Sequence, residues 1–281
     1  MEFQAEIIRT IQSAATPALD MIFEGITMLG EDFFIIFVAT LIYWCFNKET
    51  GYWICWCLSF GNLLINTVKC IFKVDRPIGY EGIRTLREHT APGYSFPSGH
   101  THASSNFFFS MAKAFNKKCL WGIAIIVPLF VGLSRLYLGV HWPMDVVCGY
   151  AIGLLVPLLL WKIYKKFSER KAFLFLASTL IYLPFFFVCG DDKSFWKSFG
   201  FALGIATGAF IEQKFINFET KGISVKQKIF RYVGGIVLVL AVYFGMKAIC
   251  PEGHIFSFIR YFCIPLAATA IWPAVFKKLK F

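Results

Sequence analysis

Nine apolar runs, at roughly residues 31–46, 51–73, 99–116, 119–138, 142–164, 172–190, 195–212, 230–248 and 255–276, take up most of this chain. A helix needs about 20 apolar residues to cross the hydrocarbon core of a bilayer, and the shorter runs reach that length through tilt or borrowed flanking residues. Only 16% of residues are charged and 57% are apolar, where an ordinary soluble domain has about 25% charged. The pattern excludes a soluble globular protein and predicts an all-α, polytopic membrane helix bundle of nine spans. Segment 1–30 is different. Ile7, Ile8, Ile11, Leu19, Met21 and Ile22 are interspersed with Glu2, Glu6, Arg9, Asp20 and Glu24. It reads as one or two interfacial amphipathic helices broken near Pro17, or as a partly ordered tail. The first ten residues lack a basic stretch leading into an apolar one, so no cleavable signal is expected. No internal repeat or low-complexity linker divides the chain, and the last three spans read as an add-on. Most of the nine cysteines sit inside apolar runs and read as packing residues, not a disulfide framework.

The formal net charge of +11 follows topology, which argues against a nucleic-acid partner. With the spans alternating, the side opposite loop 74–98 holds 17 of the 28 basic residues and four acids. The side of that loop holds 11 basic residues and 13 acids. Basic residues concentrate on the cytoplasmic side. Loop 74–98 is therefore expected on the extracytoplasmic side and the C-terminus in the cytoplasm.

Three polar clusters interrupt the apolar chain, and such residues default to functional hypotheses. Lys69 and Arg76 stand seven apart on one helix face, and Pro77 ends the helix. A lysine offers a point charge and an arginine a bidentate fork for phosphate oxygens; the plainer reading is snorkelling to lipid headgroups. Pro97-Ser98-Gly99-His100 opens a helix. Ser98 can cap it, Gly99 admits close approach of an anion, and the free N–H groups favour phosphate; the plainer reading is an N-cap beside an incidental histidine. Arg135 closes one span, and His141 and Asp145 stand four apart at the start of the next. That spacing lets the carboxylate orient the imidazole, or makes a purely structural bond at a helix end.

Alternating spans put all three clusters on one side of the membrane. Together they suit phosphoryl transfer: the cations and N–H groups hold the phosphoryl group and its transition-state charge. His141, backed by Asp145, is the better nucleophile at phosphorus, and His100 the better acid for the leaving oxygen. No metal or other cofactor is expected, because a metal phosphatase wants clustered carboxylates and this side offers only scattered ones around the motifs, such as Asp75, Glu81 and Glu88. His100 and His102 do not make a metal pair, since residues two apart on a helix point about 200° apart. His102 is expected to be structural.

These stretches resemble the signature of the type 2 phosphatidic acid phosphatase (PAP2) superfamily: K-x6-R-P, P-S-G-H and S-R-x5-H-x3-D. They stand here as Lys69…Arg76-Pro77, Pro97-Ser98-Gly99-His100 and Ser134-Arg135…His141…Asp145, with no position departing. The resemblance implies a six-helix core over residues 31–190, preceded by the segment 1–30 and followed by additional transmembrane helices over 191–281. It implies that Lys69, Arg76, Ser98, Gly99 and Arg135 bind phosphate, that His100 is the acid, and that His141 is the nucleophile with Asp145 as its partner. Thr16–Gly30 also looks like the segment that precedes the first span of bacterial members, which points to a bacterial cytoplasmic membrane. The implied partners are membrane lipids and a lipid phosphate substrate: undecaprenyl diphosphate or monophosphate, phosphatidic acid, phosphatidylglycerol phosphate or a sphingoid-base phosphate. The longer layout is also similar to sphingoid-phosphate and glucose-6-phosphate phosphatases. Loop 78–96 is expected to lid the site, with Arg84 and Arg87 as further phosphate contacts or as a solvated face. Vanadate-dependent haloperoxidases share the signature, but they are soluble. A lipid-phosphate carrier with a vestigial site would not need an intact His–His–Asp set.

Overall fold

The structure, a computed structural model, describes residues 1–281 and contains helices and loops only. In chain order the helices are α1 (Glu2–Gln12), α2 (Pro17–Thr27), α3 (Asp32–Leu41), α4 (Lys48–Phe72), α5 (Gly99–Phe115), α6 (Lys118–Tyr137), α7 (Pro143–Lys166), α8 (Lys171–Leu180), α9 (Phe186–Cys189), α10 (Lys193–Ile211), α11 (Val225–Ile249), α12 (His254–Leu266) and α13 (Trp272–Lys278). All nine apolar runs are helical. Six helical stretches are long and apolar enough to cross a membrane: Lys48–Phe72, Lys118–Tyr137, Pro143–Lys166, Lys171–Cys189, Val225–Ile249 and His254–Lys278. A seventh is the pair Pro17–Gly30 and Asp32–Phe46, bent by 49°, if taken as one span. Helices α5, at 17 residues, and α10 are not among these stretches, and their composition differs from that of the others. In α5 much of the buried face is polar (Thr101, His102, Ser104, Ser105, Asn106 and Ser110, beside Phe107, Phe109 and Ala112), and α10 carries Lys193, Lys197 and a series of glycines. A helix packed among other helices does not have to be apolar all round.

The chain divides into two compact units. The first comprises Met1–Ile35 and Leu64–Leu159. Segment 1–30 forms two helices, with Pro17 in the first turn of α2 and Thr16 as its N-cap, accepting from the Leu19 amide at 3.3 Å. Helix α1 is docked: Ala5 and Ile8 are fully buried against Ile83 and Trp142, each large apolar side chain contributing about 1.5–3 kcal/mol. Loop 73–98 is tied down at many points. Arg9 donates to the Glu81 carbonyl (2.7 and 3.1 Å). Gln12 donates to the carbonyls of Arg84 (2.7 Å) and Tyr137 (2.8 Å) and accepts from the Arg84 amide at 2.9 Å. The amides of Leu86 and Ser95 reach the carbonyls of Leu138 and Val74.

Gly139 turns the chain between α6 and α7 at φ +68°, and a Cβ there would lie 2.2 Å from the Arg84 carbonyl oxygen. Gly139→Ala is expected to cost about 2–5 kcal/mol, combining the left-handed backbone penalty with a clash against main chain. A thermal midpoint of the purified variant within a degree of wild type would refute this.

The second unit comprises Ile36–Leu63 and Leu160–Phe281. Its centre is the crossing of α10 with α12. Gly200, Gly204 and Gly208 stand on one face, and Cβ atoms on the first two would lie 2.5 and 2.4 Å from the carbonyl oxygens of Phe258 and Phe262. Small residues four apart let backbones approach where lipid supplies no hydrophobic drive. Glu212, fully buried, accepts from Lys48 Nζ at 3.1 Å, from the Phe218 amide at 2.9 Å and from the Tyr52 hydroxyl, so its charge is paired and its oxygens are satisfied.

Candidate active site

All eight side chains or backbone positions singled out in the sequence lie in the first unit. His141 and Asp145 are buried at the start of α7, one turn apart, with Nδ1 of the imidazole 3.1 Å from Asp145 Oδ2. The other ring nitrogen, Nε2, lies 3.0 Å from Nη1 of Arg76. A guanidinium can only donate. Nε2 therefore presents its lone pair, the ring proton sits on Nδ1, and Asp145 accepts it. Burial, reinforced by the charges of Arg76, Lys69 and Arg135, holds the His141 imidazole well below its usual range, so it is neutral at physiological pH.

Asp145 is shared. Its Oδ2 also accepts from the Trp142 amide at 2.8 Å and from the Ser95 hydroxyl, and its carbonyl accepts from the Ser98 amide at 2.9 Å. That last bond fastens the Pro97-Ser98-Gly99-His100 turn to α7. Ser98 caps α5, with its hydroxyl 2.9 Å from Thr101 Oγ1 and 3.5 Å from the Thr101 amide. A Cβ on Gly99 would meet nothing within 4 Å, so open space lies in front of the helix N-terminus. His100 follows, with a buried Nε2 that has no hydrogen-bond partner.

The cations surround these groups. Lys69, in the last turn of α4, donates to the carbonyls of Tyr94 (2.7 Å) and Ser95 (3.0 Å). Arg76 donates from Nε to Gly93 (2.9 Å), from Nη1 to Val140 (2.8 Å), and from Nη2 to Pro92 (3.0 Å) and Tyr94 (3.1 Å). Burial lowers the Arg76 guanidinium to about 10, which leaves it charged at neutral pH. Arg135, fully buried at the end of α6, binds the Thr27 and Thr90 hydroxyls through Nη1 at 2.9 and 3.3 Å, and its Nε is unpartnered. Lys69, Arg76 and Arg135 all act electrostatically on both histidines. The three clusters thus converge on one place, as alternation of spans predicts.

Ser95, Thr90 and Thr27 were not singled out from sequence. Ser95 stands three residues before the N-cap in a stretch whose pattern gives no sign that it would reach α7. His102, by contrast, is packed at the crossing of α5 with α7, where a Cβ on Gly153 would lie 2.7 Å from its carbonyl oxygen. It makes no hydrogen bond to His141 or Asp145.

Comparison with known proteins gives concordant results. Residues 50–169 match the PAP2 superfamily, and residues 196–281 match the family described as PAP2 superfamily phosphatase, transmembrane extension. The chain is 31% identical over 170 residues to phosphatidylglycerophosphatase B of Bacillus subtilis, covering 55% of this chain and 77% of that one. It is 27% identical over 153 residues to an undecaprenyl-diphosphatase of Sulfolobus acidocaldarius, covering 54% and 73%. The crystal structure of Aquifex aeolicus LpxE superposes with a TM-score of 0.50 at 27% identity, covering 56% of this chain and 94% of that chain. The chain is therefore an integral membrane protein of the PAP2 superfamily, a family of phosphatases, and it carries that family's transmembrane extension at its C-terminal end.

Proposed function

We propose that this protein hydrolyses a lipid phosphate or lipid diphosphate monoester at the extracytoplasmic face of its membrane, without a metal ion, through a phosphohistidine on His141. The observation that carries the reading is the line Arg76–His141–Asp145, which aims a neutral Nε2 lone pair at a guanidinium. A substrate phosphoryl group would enter between Nε2 and Arg76 and take hydrogen bonds from Arg76, Lys69, Arg135, the Ser98 cap and the N–H groups at Gly99. His141 Nε2 forms the new bond to phosphorus while the bond to the bridging oxygen breaks. That oxygen leaves with the electron pair and takes a proton from His100, which the arriving phosphate anion must first charge, because burial and the charges of Arg135, Arg76, Arg87 and Lys69 hold the His100 imidazole well below its usual range in the empty site. Asp145 stabilises the positive ring that results. Water, deprotonated by the now neutral His100, then attacks the phosphohistidine and releases inorganic phosphate. The site's donors are cations and imidazoles, and Oδ2 of Asp145 already has three hydrogen bonds, a set that suits an anion and leaves little for a metal. Residues 31–190 serve as the catalytic core and 191–281 as additional transmembrane helices, with the C-terminus cytoplasmic.

The test is purified protein in detergent against a panel of phosphatidic acid, phosphatidylglycerol phosphate, isoprenyl phosphates and diphosphates and sphingoid-base phosphates, scored for released phosphate with chelator present. Turnover of none, or strict dependence on added metal, would overturn the reading. Binding without turnover would identify a carrier.

The depressed His141 imidazole also fixes a pH dependence. The reactive form is neutral, so His141 should titrate below about 6.5, its ordinary value, and the activity it limits should persist into mildly acid solution. For stability the sign is the same: below about 6.5 the unfolded chain takes up this proton before the folded one, so stability falls as pH drops. Histidine-labelled NMR, with His141 assigned by loss of its signal in a variant, should place the midpoint below 6.5; a midpoint at or above that value overturns the assignment.

A further inference from the structure

Arg87 lies outside the family signature, yet its position is unusual in three ways. It adopts the left-handed backbone conformation (φ 52°, ψ 39°), immediately before the short helical turn Glu88–Thr90. Such a conformation is disfavoured for a long side chain and persists where surrounding structure enforces it, commonly at ligand sites. Its guanidinium is held from one end by Glu31, with Nη2 2.7 Å from Oε1, while its Nε is buried and has no partner. Thr90 joins it to the site. The Thr90 hydroxyl donates to the Arg87 carbonyl at 2.8 Å and accepts from Arg135 Nη1 and Nη2 at 3.3 and 3.4 Å. Arg87 is also among the charges that act on both His100 and Arg135.

Three buried polar atoms in this neighbourhood lack partners: Nε of Arg87, Nε of Arg135 and Nε2 of His100. Buried donors are rarely left unpaired, and such a group calls for an explanation. Arg84 is the contrast on the same loop. Its two Nη atoms are 2.9 and 2.6 Å from the Asp20 carboxylate, and its side chain is 42% exposed, a solvated pair that offers nothing to the site.

We infer that Arg87 is a specificity-determining residue that contacts the inner phosphate of a diphosphate substrate, on the leaving-group side of the bond broken. The inference rests on the proposed reaction and adds its substrate class. His141 attacks the outer phosphorus in line, so the leaving oxygen departs toward His100. Arg87, tied through Thr90 to Arg135 and acting electrostatically on His100, is therefore assigned to whatever is attached to that oxygen. In a monophosphate ester this is an uncharged alkyl carbon, to which a buried N–H offers nothing. In a diphosphate it is a second phosphate, whose negative charge grows as the bridging bond breaks. The bridging oxygen leaves as part of a lipid monophosphate and takes the His100 proton; water later releases the outer phosphate from His141.

The experiment compares farnesyl diphosphate with farnesyl monophosphate, which share one tail, on wild type, Arg87→Gln and the double variant Arg87→Gln/Glu31→Gln. The double variant leaves neither partner as an unpaired charge. The ratio of kcat/KM for diphosphate to that for monophosphate should fall about 10- to 100-fold in both variants, the range of one charge-assisted hydrogen bond. An unchanged ratio, whether both rates fall together or neither does, shows Arg87 to be a structural partner of Glu31 and overturns the inference alone. A wild type that releases phosphate from neither substrate overturns the proposed reaction and this inference with it.

Discussion

His141→Asn abolishes phosphate release, with kcat reduced about 10⁴- to 10⁶-fold, the range seen when a covalent nucleophile is removed from a site that acts as a unit. Asparagine is close to histidine in reach and keeps a polar group beside Arg76, but it has no nitrogen lone pair that can bond to phosphorus. The remaining cations still bind substrate, so substrate should protect the variant against heat nearly as well as it protects wild type. Radiolabelled substrate should leave label on wild-type protein after acid-free quenching and none on the variant. Residual activity within tenfold of wild type, or label retained on the variant, would remove His141 from the nucleophile role.

The second large effect is at Asp145. Asp145→Asn keeps the shape and removes the charge that holds the proton on Nδ1 of His141 at 3.1 Å. An amide NH₂ turned toward the ring would force the proton onto Nε2, which is the atom that must attack. A drop in kcat of about 10³- to 10⁴-fold is expected, with KM changed far less, because the Asp145 carboxylate bonds to His141, Trp142 and Ser95 and not to Lys69, Arg76 or Arg135. Asp145 also accepts from Trp142 and Ser95, so some stability will be lost as well. The split between kcat and KM, read at a temperature below the variant's thermal midpoint, separates the two consequences. Equal loss in kcat and substrate affinity would point to collapse of the site and not to a misplaced proton.

Much of the site was legible because its residues sit where membrane physics makes them costly. Lys69, Arg76, Arg135, His141 and Asp145 stand out against apolar runs, and alternation of spans puts them on one side from the sequence alone. The same argument could not find Ser95, Thr90 or Thr27. Hydroxyls are cheap in a helix bundle and carry no period, and their partners, Asp145 and Arg135, are distant in sequence. Nor could it find that α1 docks on loop 73–98, since amphipathic spacing gives a buried face without saying whether lipid or protein covers it. Helices α5 and α10 are weakly apolar for a related reason: they bury polar or glycine-lined faces among other helices. Arg84 and Arg87 looked equivalent in sequence. Only the left-handed turn at Arg87 and the Asp20 partner of Arg84 tell them apart.

Arg76 has five N–H groups, and each has an acceptor: four backbone carbonyls and His141. A phosphate arriving at this guanidinium meets no vacant donor. It must displace an existing bond for each one it gains, so the ground-state complex is an exchange between two saturated arrangements and its affinity is a small difference. Charge that builds on the equatorial oxygens during transfer has no counterpart in the resting arrangement. The favourable part of the exchange therefore falls at the transition state, where it raises turnover and does little to tighten the hold on substrate.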